Sequence, residues 1–234
     1  MCMKEIIRKR KSIRKFDMTP LDAAVLEKVT NHFNNLVPLY STIDYSIEVV
    51  SKTKGIFNIK APHYLIFGSK EKEGCLENIG FIGQQMDLFL SASGLGACWL
   101  GASKPTDKEE SALPYIICIA FGNPSEQLYR EQSEFKRKSL ADISEGEDDR
   151  LEAARLAPSG VNAQNWYFIA ESGKIHCYRK KPNPLLGLIL GRMGSIDLGI
   201  AICHIAQESE AFCFVQDDDA PIKKGLIYSG TVQQ

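Results

Sequence analysis

Apolar and polar positions along this chain follow two periods in alternation. Residues 79–95 carry apolar side chains at helical spacing on nearly every side and stop at Gly94-Leu95-Gly96, which predicts a buried helix. Residues 195–206 read the same way. Around these two stretches lie short continuous apolar runs, the pattern of buried strands, at 63–67 (HYLIF), 113–121 (LPYIICIAF), 166–170 (WYFIA) and 211–215 (AFCFV). Gly122-Asn123-Pro124 stops the 113–121 run, and residues 174–179 form a candidate partner strand for 166–170. Residues 3–10 predict a short helix running into a basic turn. Thr19-Pro20 offers an N-cap and a proline at the first helical position for a helix over 21–33, and 146–158 predicts another helix.

The element order begins twice. Lys9-Arg10-Lys11-Ser12-Ile13 recurs as Lys136-Arg137-Lys138-Ser139-Leu140, and Leu26-Glu27-Lys28-Val29 is echoed by Leu151-Glu152-Ala153-Ala154. A spacing of about 120 residues is too long for a solenoid repeat and points to two fused copies of one unit. The joining segment, 126–139, is polar but neither low-complexity nor rich in Gly and Ser. The expectation is one domain over 1–234, built of a first half of about 1–128 and a second of about 129–234 that share a core.

Composition narrows the function. Twenty-eight Lys and Arg balance 29 Asp and Glu, so the chain is not a general polyanion binder, although cations can still cluster locally. No apolar stretch is long enough to span a bilayer, and Met1-Cys2-Met3-Lys4-Glu5 lacks the apolar core of a signal peptide, so a cytoplasmic protein is expected. The seven cysteines are odd in number and form no metal-binding spacing, which suits reduced thiols in a core and no metal.

Three features carry candidate chemistry. Residues 8–15 hold six cations in eight positions, and in extended chain Arg10, Ser12 and Arg14 point one way while Ile13 faces the core. Two guanidinium forks and a hydroxyl suit a phosphate monoester; a solvated or polyanion-attracting surface is the plainer reading. Second, Pro158-Ser159-Gly160-Val161-Asn162-Ala163-Gln164-Asn165 joins a helix to an aromatic strand. Its four polar side chains either cap turns or offer donors and acceptors to a ligand. Third, Gly94 to Gly101 turns from a helix into a strand, with Cys98, Trp99 and Leu100 at its end and glycines that leave backbone N–H groups open. His63, His176 and His204 lie in apolar elements and read as structural. Asp217-Asp218-Asp219 reads as a solvated turn. Asp87 and Asp197 occupy similar places in the two buried helices and predict a matched structural contact.

Taken together, these features resemble the FMN-dependent nitroreductase family, in its divergent single-chain form. Arg10-Lys11-Ser12-Ile13-Arg14-Lys15-Phe16 looks like the family's phosphate motif, and Ala157 to Trp166 like its A-P-S-x-x-N-x-Q-P-W loop, with Asn165 in place of proline. Gly96 to Gly101 is similar to the segment at the isoalloxazine edge, and Lys136 and Lys138 sit where further phosphate-binding cations often occur. The loop departs from the family order, appearing about 145 residues after Ser12 instead of near the stretch 32–40. The resemblance implies an α+β nitroreductase-like fold of three-layer α/β/α type, with two pseudo-symmetric halves and central mixed, largely antiparallel sheets flanked by helices. It implies a pseudo-dimer with one FMN site. Arg10, Lys11, Ser12, Lys136 and Lys138 would hold the phosphate side, Arg14 would lie near the pyrimidine end of the ring, Cys98, Trp99, Leu100 and Gly101 at the ring edge, and Pro158, Ser159, Asn162 and Gln164 along the ribityl chain or ring rim. No side chain need be catalytic, because the flavin carries electrons from NAD(P)H to an electron-poor acceptor by a ping-pong route. A flavin carrier without turnover and a related flavin reaction such as reductive dehalogenation are the alternatives. Nucleic-acid binding through 8–15 lacks the interleaved aromatics it would need.

Overall fold

The computed structural model describes residues 2–56, 59–106, 113–181 and 187–233. The first half runs through α1 (Met3–Ile7), α2 (Ala23–Asn31), β1 (Tyr45–Val50), β2 (Thr53–Gly55), β3 (His63–Ser69), α3 (Cys75–Ala92), β4 (Gly96–Leu100), β5 (Ser103–Pro105) and β6 (Tyr115–Gly122). The second runs through α4 (Leu140–Ile143), β7 (Ser144–Glu145), α5 (Arg150–Leu156), β8 (Trp166–Glu171), β9 (Lys174–Lys180), α6 (Gly187–Glu208), β10 (Cys213–Val215) and β11 (Leu226–Gln233).

Two sheets result. The first has the order β1-β3-β6-β4 and is antiparallel throughout; the second has β10-β11-β9-β8, antiparallel, with β7 added in parallel beside β8. Matching β1 with β8, β3 with β9, β4 with β10 and β6 with β11 gives both sheets the same strand order. The helices α3 and α6 pack against each other, α3 also against β3, β4 and β6, and α6 against β8 and β9. This helix pair is therefore an inner layer with a sheet on each side, where flanking helices were expected.

Close approach of the two helices depends on two glycines. A Cβ on Gly80 would lie 2.1 Å from the Ile196 carbonyl oxygen, and one on Gly199 would lie 2.0 Å from the Glu77 carbonyl oxygen. The contact is reciprocal, 119 positions apart in sequence. Apolar side chains from both helices and both sheets merge into one core around it, including Phe67, Ile82, Trp166, Phe168 and Ile200. The outer face of the first sheet is covered by Ile13 and Phe16 of the basic segment, which pack with Tyr64, Ile66, Cys98, Leu100 and Cys118. Burial on both faces explains why β3 and β6 read as continuous apolar runs.

The structure shifts several expected boundaries. The second helix begins at Ala23, not at Thr19-Pro20. Asp17 accepts from both the N–H and the hydroxyl of Thr19 at 2.9 and 2.8 Å, and His63 Nε2 accepts from the Leu21 N–H at 2.9 Å, which holds this stretch in a turn. The strands β1 and β11 were not anticipated. β1 is half-buried along its whole length, and β11 is interrupted by a bulge between Tyr228 and Gly230, so neither shows a clean period. All seven cysteines are free thiols, and no helix among the described residues is long and apolar enough to cross a membrane.

Candidate functional site

The basic segment leaves α1 and runs extended beside the chain that follows β6. Arg10 bridges antiparallel to Tyr129 and Phe16 to Pro124, the Arg130 N–H donates to the Lys9 carbonyl at 2.8 Å, and the Ile13 N–H donates to the Ala97 carbonyl at 2.9 Å. Ile13 is fully buried, so its neighbours Ser12 and Arg14 are turned the other way. Arg10 Nη2 reaches Ser12 Oγ at 3.5 Å and Arg14 Nη1 the Ser12 carbonyl at 3.4 Å. Lys11 points elsewhere, pairing with Glu126 at 3.4 Å.

Arg10 is 1% exposed, and its Nε lies 2.8 Å from Asp87 Oδ2 on α3, both side chains being wholly enclosed. Asp87 continues into a buried chain of amides and rings. Gln84 Nε2 donates to Asp87 Oδ2 and approaches His204 Nε2, each at 3.0 Å, while Gln84 Oε1 accepts from the Trp99 indole at 3.2 Å. His204 Nδ1 lies 2.9 Å from the Ala153 carbonyl, so this nitrogen carries the proton and Nε2 is the acceptor. Burial pushes His204 down to about 3 and keeps the ring neutral.

More cations gather around Arg10 than its one carboxylate partner can balance. Arg130 and Arg137 from the joining segment both lie over the Phe135 ring, at 4.8 and 5.6 Å from its centroid. Burial, then the charges of Arg10, Arg130 and Arg155, pull Arg137 down to about 10; burial and Arg10 pull Arg130 down as well. Arg10 Nη1, Arg130 Nε and Arg137 Nε are buried donors with no hydrogen-bond partner. Buried guanidinium N–H groups without acceptors are costly, and an anion is the species that relieves both the repulsion and the lost hydrogen bonds.

The same cluster is tied to the loop after α5. Arg137 Nη1 donates to Asn162 Oδ1 at 2.5 Å, and Asn162 Nδ2 to the Lys136 carbonyl at 2.8 Å. Lys138 donates through Nζ to the Ala163 carbonyl at 2.7 Å and through its backbone N–H to Gln164 Oε1 at 2.8 Å. Ser159 Oγ accepts from the Gln164 N–H at 3.0 Å, and Asp197 Oδ1 on α6 accepts from the Gly160 N–H at 2.9 Å. Held at so many points, the loop keeps Val161, Asn162 and Gln164 at φ of 47°, 58° and 48°, and Val161 stands 95% exposed. Left-handed backbone in a β-branched residue is strained and persists only where its surroundings impose it.

The third segment meets the other two from both faces of β4. Cys98 and Leu100 lie on the side of Ile13, and burial pushes the Cys98 thiol up to about 11, so it is a packed thiol and not a reactive one. Trp99 faces α3, over Gly83 and beside Phe67. Beyond β4, Gly101 abuts Met193 of α6, whose methyl also abuts Gly160. Ser12, Arg14, Cys98, Gly101, Ser159 and Asn162 are thus brought to one region of the molecule, with Arg10 behind them. Lys11, Trp99, Lys138, Pro158 and Gln164 are engaged within the protein, Pro158 buried and Lys138 and Gln164 bracing the loop, whereas the Lys136 side chain is exposed.

The chain matches the family model "Putative TM nitroreductase" over residues 2–209. It belongs to the nitroreductase family. That membership places it among the oxidoreductases. A crystal structure described as a "putative nitroreductase" from Thermotoga maritima superposes with a TM-score of 0.70 at 21% identity, covering 99% of this chain and 92% of that one. A nitroreductase family protein from Clostridium difficile 630 covers 61% of this chain and 96% of its own, at 19% identity and a TM-score of 0.49. A comparison with curated proteins found no match. The fold is nitroreductase-like, α+β with antiparallel sheets.

Within this nitroreductase fold, sequence reasoning missed Arg130 and Arg137, and read Asp197 only as a structural match to Asp87. The signal for the two arginines was an aromatic beside each cation in the joining segment (Tyr129-Arg130, and Phe135 two before Arg137). Asp87 and Asp197 are not a matched pair. The mate of Asp197 is Asn78, again 119 positions away, whose Oδ1 accepts from the Tyr40 N–H at 3.0 Å.

Proposed function

We propose that this chain is an FMN-dependent oxidoreductase. It would carry electrons from NAD(P)H to an electron-poor acceptor of nitroaromatic or quinone type in two alternating half-reactions. The observation that carries this reading is the set of unpartnered buried donors on Arg10, Arg130 and Arg137, joined through Arg137 to Asn162 of the second half's loop. A phosphate monoester fits that cluster in charge and in donor geometry. Bound FMN would supply the redox chemistry. The chain's own task is to bind and orient. Arg10, Ser12, Arg130 and Arg137 hold the phosphate, Arg14 adds positive charge beside Ser12, and the backbone at Gly101 and Gly160 lines the ring end. Lys136 and Lys138 serve the loop and not the phosphate. Because the first half lacks the equivalent loop sequence at 32–40, one flavin per chain is expected, in a fused pseudo-dimer.

The visible spectrum of the purified protein with added FMN tests this, before and after anaerobic NADH or NADPH. The expected result is about one flavin per chain that bleaches with the nucleotide, with Arg137→Leu weakening FMN by roughly tenfold or more. Flavin bound but never bleached points to a carrier without turnover. No binding at any FMN concentration overturns the reading.

A further inference from the structure

The two halves hold the same loop position with different chemistry. In the first half Asn78 accepts from the Tyr40 N–H at 3.0 Å; in the second Asp197 accepts from the Gly160 N–H at 2.9 Å. Both acceptors sit at the same place relative to the glycine crossing of α3 and α6, two residues before Gly80 and Gly199. An amide is therefore sufficient to hold this backbone N–H. The carboxyl at the second position is 3% exposed and accepts the Gly160 N–H. Such a group is costly when ionised and titrates far from its ordinary range: burial pushes Asp197 up to about 7, against the single pull of the Gly160 N–H. Among the described residues, no charged side chain offsets it from the elements packed around it. The loop presents Gly160, α6 itself presents Met193 one turn earlier, α3 carries Glu77, which faces Arg179 at 3.9 Å, and α5 carries Arg155, paired with Glu152 at 2.6 Å.

The loop that this carboxyl holds is the strained one, with three left-handed residues among the four that follow Gly160. A carboxylate accepts an N–H more strongly than a neutral carboxylic acid does. We infer that Asp197 is a proton-responsive positioning residue: ionised, it fixes the 158–164 loop in its strained form, and protonated, it slackens its hold. The first half has no such response, because Asn78 does not titrate. The loop's role toward a ligand rests on the function proposed above; the latch itself does not.

The test is an NMR titration of the flavin-free chain from mildly acidic to mildly alkaline pH. The Gly160 amide should move with a midpoint near 7, the value at which Asp197 titrates, while the Tyr40 amide stays still. Hydrogen exchange at Asn162 and Gln164 should speed up about fivefold on acidification. Asp197→Asn should leave the Gly160 amide in place and remove the titration. The mirror variant Asn78→Asp should make the Tyr40 amide titrate, which keeps the test open if the first variant folds poorly. A Gly160 amide that does not move, or that moves equally in Asp197→Asn, overturns the inference. FMN binding is read separately. About fivefold weaker binding below neutral pH in the wild type, and a flat profile in Asp197→Asn, extends the latch to the ligand. Stronger binding on acidification rejects it, since charge repulsion and not loop order would then dominate. Failure of FMN to bind at any pH, with Gly160 still titrating, removes the proposed function and leaves the latch standing.

Discussion

A guanidinium that is 1% exposed needs its charge balanced inside the protein, and at Arg10 the balancing group is Asp87, 2.8 Å away. Burial pushes the Asp87 carboxyl up while Arg10 and the Gln84 amide pull it down. Removing the carboxylate would leave the arginine enclosed and uncompensated. Asp87→Asn is therefore expected to destabilise the fold by about 3–5 kcal/mol, measured by urea unfolding. Added phosphate should recover part of that loss by supplying the missing anion. Asp197 behaves in the opposite way. Its carboxyl titrates at about 7 in the fold and near 3.8 in the unfolded chain, so between those values the unfolded state is ionised and the folded state is not. Stability falls as pH rises across that window and is level above it. Asp197→Asn should accordingly raise the melting temperature by several degrees in mildly alkaline buffer and by little at the acidic end. Of these residues the sequence pointed to Arg10, through its spacing from Ser12 and Arg14, and to Asp87 and Asp197 only as an expected matched pair. It gave no partner for Arg10 and no hint that Arg130 and Arg137 lie beside it, because the contacts run from the N-terminal segment to α3 and to the joining segment.

At the scale of elements, the inner layer is decided by the two glycines at the helix crossing. Gly80→Ala or Gly199→Ala would drive a methyl to within 2.1 and 2.0 Å of a facing carbonyl oxygen, and the helices would have to part. Each change should cost about 1–3 kcal/mol or more, seen as a lower thermal midpoint. Gly194→Ala on α6 is the contrasting case. Nothing lies within 4 Å of the added carbon, so helix propensity alone should act, giving a gain of about 0.5–1 kcal/mol. The buried helices α3 and α6 and the strands β3, β6, β8 and β9 were legible because burial on several sides leaves an unbroken apolar record. The strands β1 and β11 were not, since a half-buried edge and a bulge both blur the period of two. The start of α2 was misplaced because side chains at Asp17 and His63 took the backbone N–H groups that a helix would have used.

At the scale of the whole molecule, α3 and α6 bring together two sheets of identical strand order within one chain. Each half covers the other's helix face, so the protein is expected to sediment as a single chain of 26.1 kDa that binds flavin without a partner subunit. A dimer required for flavin binding would reject the pseudo-dimer proposal. The sequence by itself determined the element types that burial writes plainly, the doubled order of those elements and the family resemblance. These are properties of local pattern and spacing, and they survive in one dimension. Only the tertiary structure decided that the long helices form the inner layer, that Arg130 and Arg137 complete the cation cluster, that Lys138 and Gln164 brace the loop, and that Asn78 rather than Asp87 mirrors Asp197. Each of these depends on which surfaces meet when the two halves close on each other, and on the low-polarity interior that then sets charge and hydrogen-bond balance.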